Sequence, residues 1–79
     1  LPKCKNCLNY KTKIVTTDIQ LFDILTKNSI EPLQNIENNI LKNIDKYGKC
    51  RIYYCVVKKL LTKTMINKDI ECDKFNNFK

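Results

Sequence analysis

Arg51-Ile52-Tyr53-Tyr54-Cys55-Val56-Val57 is the stretch on which the fold turns. Its β-branched and aromatic residues suit a pleated, half-buried strand. Continued to Asn67 and drawn as a helix, the same region gives a wide apolar arc of Ile52, Tyr53, Val56, Val57, Leu60 and Leu61. Lys58, Lys59 and Lys63 then project away from the centre of that arc, as on an amphipathic helix. A strand needs a partner, and no second convincing strand stands elsewhere in the chain. The reading is therefore helical.

The flanking segments agree with a helical chain. Leu33, Ile36, Ile40, Ile44 and Tyr47 recur at spacings of three and four, the strongest periodicity in the sequence. Ser29 and Glu31-Pro32 open that helix, since proline suits a first turn. Gly48, the only glycine, closes it in a left-handed conformation. Upstream, Ile19, Phe22 and Leu25, with Leu21 and Ile24 beside them, predict a helix ending near Asn28. Thr17 and Gln20 have capping-box form at its start. Pro2 to about Val15 reads as a short helix or an irregular arm, and Asp69 to Lys79 as a short helix carrying Ile70, Cys72, Phe75 and Phe78. The expected fold is a single all-α domain over residues 1–79, a small bundle of three to five helices.

A chain of 79 residues is marginal on core packing alone and usually needs staples. The five cysteines, Cys4, Cys7, Cys50, Cys55 and Cys72, supply the expected ones. Each disulfide would contribute ~2–4 kcal/mol, mainly by restricting the unfolded chain. An odd count leaves one thiol over, which is either free or bonded to a second chain as a disulfide-linked homodimer. If Cys50 and Cys55 share a helix they lie about 140° apart around its axis and face different partners. Cys4 and Cys7 would then bond two of Cys50, Cys55 and Cys72. Zinc is the runner-up for Cys4-Lys5-Asn6-Cys7, but without histidine or a second such pair the ligand set is short. No cofactor is expected. Cross-links of this kind persist in oxidising compartments, so the expected setting is extracellular, with Leu1-Pro2-Lys3 a mature start after signal removal.

Net charge is +7, and 14 of the 15 basic residues are lysine, the exception being Arg51. Specific nucleic-acid reading favours arginine, so it is not expected here. The charge is uneven: residues 42–68 carry +7 while residues 14–41 carry −3. Such a field attracts anionic lipid or an acidic protein. Catalysis is argued against by what is missing. There is no histidine to serve as a base, one serine, and one glycine where a phosphate loop needs several.

Cys4-Lys5-Asn6-Cys7 and Asp69-Ile70-Glu71-Cys72 resemble the two ends of saposin-like proteins such as NK-lysin and amoebapores. The resemblance implies a cationic helical hairpin with Cys7 bonded to Cys72 and Cys50 to Cys55. It leaves Cys4 over, because Phe78 stands where its partner would be. It also implies binding to, or disruption of, anionic membranes. Tyr53-Tyr54-Cys55 is similar to the Cys-Tyr-Cys tripeptide of aphid bicycle proteins, secreted effectors of plant-feeding insects.

These readings converge on a secreted, non-enzymatic, effector- or toxin-like protein that binds an extracellular or host target. The alternative is a saposin-like cationic protein acting on anionic membranes. The candidate membrane or partner surface is Arg51, Tyr53, Tyr54, Lys58, Lys59 and Lys63.

Overall fold

The computed structural model describes residues 3–31, 33–56, 60–69, 71–72 and 75. A single 3-10 turn at Cys4–Asn6 leads into strand β1, Tyr10–Val15, and two helices follow, α1 at Asp18–Lys27 and α2 at Gln34–Tyr47. The chain then returns as strand β2, Cys50–Cys55, adds the two-residue strand β3, Leu60–Leu61, and ends its described elements with the short helix α3, Lys63–Asn67. The three strands form one antiparallel sheet in the order β1-β2-β3.

The expected all-α bundle is thus corrected to a mixed fold, and the deciding stretch is a strand through Cys55. Its partner escaped notice because Lys11-Thr12-Lys13 carries no apolar residue. An edge strand has one neighbour and needs little apolar surface of its own. In β1 only Val15 is fully buried, at 1 % exposure. In β2 the period of two does the sorting: Ile52 and Tyr54 enter the core and Arg51 faces solvent.

Directly opposed residues of an antiparallel pair share a face. The β1–β2 register matches Lys11 with Tyr54, Lys13 with Ile52 and Val15 with Cys50. That face carries the main core, where Val15, Ile52, Tyr54 and Leu60 pack with Leu21, Leu25, Ile30 and Ile40 from the helical side. The second face carries Tyr10, Tyr53, Cys55 and Leu61, and it is covered at one end by Ile66 of α3 and by Cys4. The sheet is therefore covered on its helix side over β2, β3 and the Val15 end of β1, and only partly on the other.

The helix ends explain two further details. Thr17 Oγ1 accepts the Gln20 N–H at 3.1 Å, while Gln20 Oε1 reaches back to the Thr16 N–H at 2.7 Å, one residue beyond the expected box. Ser29 does not open α2. It sits at φ 52° and closes α1, with Ser29 N–H donating to Thr26 O and Ile30 N–H to Leu25 O at 2.8 Å. That paired arrangement is a Schellman motif, and buried Ile30 supplies its apolar contact. Gly48 closes α2 in the left-handed region at φ 79°, as the sequence predicts.

The expected disulfide staples are also corrected, since the structure contains no disulfide among the described residues. For Cys50–Cys55 the reason is geometric. Five steps along one strand separate them by about 17 Å and put them on opposite faces. A disulfide requires Cα atoms within about 7 Å. The sulfurs act in packing instead. Cys55 is buried with Leu61 and Ile66, and Cys7 is buried with its Sγ accepting the Asn9 N–H at 3.4 Å. Half-buried Cys72 lies near the ends of the chain, where Asp69 bridges to Lys3. The tail helix expected over Asp69 to Lys79 meets that bridge at its first residue, and its Ile70 and Phe78 lie outside the described residues.

Candidate functional site

Arg51 is the centre of the surface that the sequence singled out. It leads the solvent-facing row of β2, opposite Ile14 of β1. Its Nη1 donates to Thr12 Oγ1 at 3.4 Å, and that hydroxyl donates to Ile52 O at 2.8 Å. The guanidinium is thereby laid along the sheet, across the β1–β2 pair. Next to it Tyr10 and Tyr53 stack with ring centroids 6.5 Å apart and planes 12° from parallel. Burial, then the neighbouring Tyr53, pushes the Tyr10 phenol above its ordinary range, against opposing contributions from Thr12 and Arg51.

Two shallow depressions meet at this arginine. One, of about 300 Å³, includes Arg51, Tyr53 and Lys63 with Asn39 and Asn43 of α2. It exists because β3 pairs with only Tyr53 and Tyr54, leaving the start of β2 uncovered on that side. The other, of about 510 Å³, lies at the end of the sheet between Ile14, Tyr47, Lys49 and Arg51. Tyr47 is 64 % exposed there, with Lys46 Nζ 5.2 Å from its ring centroid.

Of the residues expected to form the surface, the fold brings Arg51, Tyr53 and Lys63 together. It removes Tyr54, which alternation turns into the main core at 3 % exposure. Lys58 and Lys59 lie outside the described residues. Sequence reasoning missed Tyr10, Lys11, Thr12, Lys13 and Ile14. The alternating Thr12 and Ile14, ahead of Val15, were the available signal for an edge strand.

Lys11 and Lys13 share the helix-side face with Tyr54 and Ile52, yet both are exposed because β1 is the outermost strand. With Arg51 they give the β1–β2 pair three cations, and neither strand contains a carboxylate. Among the described residues no cluster of three metal-ligating side chains occurs, and no helix is long and apolar enough to cross a membrane. Comparison with family models, curated proteins and solved structures finds no match to the chain.

Proposed function

We propose that this chain is a non-enzymatic, effector-like binding protein whose cationic sheet surface engages an acidic protein. The observation that carries the reading is the set Lys11, Lys13 and Arg51 on two adjacent strands, the lysines at the exposed margin of the helix-side face and Arg51 on the outer face beside exposed Ile14 and the Tyr10–Tyr53 stack. Cations beside apolar and aromatic surface suit a partner that offers both charge and contact area. The non-catalytic part of the reading is supported by the absent histidine and by the lone serine, whose backbone is used to end α1. Placement outside the cell belongs to the proposal on cysteine density alone.

The membrane-active alternative rests on the saposin-like ends of the chain and on a cationic amphipathic helix through Arg51 and the lysines after it. Cys50–Cys55 is a strand, so that helix has no counterpart among the described residues. Titration with poly-glutamate and with vesicles containing one-third phosphatidylserine, each from low to high salt, tests the choice. The proposal expects salt-sensitive binding to the polypeptide and at least tenfold weaker binding to the vesicles. Vesicle binding equal to or tighter than polypeptide binding would overturn it.

A further inference from the structure

The open edge of β1 offers more than charge. The Val56 N–H donates to Asn9 O, and the Tyr10 N–H turns the other way, donating to Cys7 O. These two bonds fix the phase of the β1–β2 ladder. In an antiparallel pair, residues that exchange both bonds alternate with residues whose backbone groups point away. Asn9, Lys11, Lys13 and Val15 therefore address β2 through their backbones. Thr12 and Ile14 turn their N–H and C=O groups outward, at an edge that no other strand among the described residues covers.

We propose that this edge accepts an extended, acidic segment of a partner protein as a fourth strand. The inference rests on the binding reading above and names its mode. An added strand would exchange hydrogen bonds with Thr12 and Ile14. On its helix-side face it would meet Lys11 and Lys13, two residues apart, which calls for carboxylates at alternate positions. On the outer face it would meet Thr12 and the half-exposed Ile14, which calls for a β-branched apolar residue between the carboxylates.

The same charges disfavour a second copy of this chain at this edge. Of the antiparallel registers between two β1 strands, those that engage Thr12 put Lys13 opposite Lys13 (Thr12 against Ile14) or Lys11 opposite Lys13 (Thr12 against Thr12). Like charges directly opposed across strands are destabilising. Edge lysines of this kind discourage self-pairing while leaving the edge open to the opposite charge.

The test uses the whole chain and an octapeptide alternating glutamate and valine, blocked at both ends. Amide hydrogen exchange is followed by NMR as the peptide is added. Slowing at the Thr12 and Ile14 amides of at least tenfold, with Lys11 and Lys13 unchanged, is the expected result. Binding without slowing at those two amides would overturn the edge mode and leave the general acidic-partner reading standing. No binding at low salt would overturn both. Ile14→Pro removes an outward N–H and no ladder bond, a substitution that edge strands tolerate. A folded Ile14→Pro chain should bind the peptide at least tenfold more weakly, and undiminished binding would count against the proposal. Should that variant not fold, N-methylation of the peptide at its β1-facing amides decides the same question on the native chain: loss of binding supports the edge mode, and retained binding overturns it.

Discussion

Ser29 holds a left-handed backbone conformation that L-residues adopt at a cost of roughly 1–2 kcal/mol. Replacing it with glycine should raise stability by about 0.5–1 kcal/mol, read as a higher midpoint in urea. Gly48 is the converse case. A Cβ there would meet nothing within 4 Å, so Gly48→Ala is resisted by its φ of 79° and not by crowding. It should cost about 1 kcal/mol. Asp69 has its carboxyl pKa held below the usual range, first by its hydrogen bond from Lys3 and then by that ammonium's charge. A depressed folded pKa contributes stability above the unfolded value, about 3.9, and loses it as pH falls through the folded one. Asp69→Asn should therefore be less stable than the native chain at neutral pH, with the difference closing in acid. Tyr10 has the opposite sign. Its raised pKa contributes stability in full below about pH 10, and that contribution disappears as pH rises through the folded value. Tyr10→Phe should lack this alkaline loss, measured by unfolding from pH 9 to 11.

At the scale of elements, the two long helices were legible and the sheet was not. The α2 helix announces itself by apolar residues every three or four positions and by a glycine at its end. Even so, its terminal Tyr47 is exposed, as are Ile19 and Phe22 of the expected apolar face of α1. Periodicity identified the helices but overestimated how much of each is buried. For β2, local sequence permits either state, and pairing with β1 decides. That partner, built on Lys11-Thr12-Lys13, offers a pattern reader almost no apolar signal, because its stability comes from ladder bonds to β2 and from Val15. The alternation gives a sharp expectation for neighbours in β2. Ile52 is 1 % exposed, and Ile52→Ala should cost about 2–5 kcal/mol. Arg51→Ala, one residue away and facing solvent, should change stability by less than about 1 kcal/mol. Comparable losses at both positions would contradict a strand.

For the molecule as a whole, charge was the legible part of the candidate site and geometry was the hidden part. Composition places a positive field on residues 42–68, and Arg51, Tyr53 and Lys63 are indeed neighbours. No composition could place Lys11 and Lys13 on the strand next to Arg51 and Tyr53, because 36 residues of chain separate Ile14 from its sheet partner Arg51. The cysteines were misread for a related reason. Spacing along the chain suggested cross-links, whereas the strand carries Cys50 and Cys55 to opposite ends and opposite faces. Surface, core and open edge all depend on Thr12 lying across from Tyr53 and Ile14 across from Arg51. The most direct measurement is a proton NOE experiment on the Hα atoms of those two pairs, which pack closely in non-hydrogen-bonded antiparallel positions. Strong Hα–Hα cross-peaks for Thr12–Tyr53 and Ile14–Arg51 are the predicted result. Their absence, with sequential i to i+3 contacts running through residues 51–55 instead, would contradict the account.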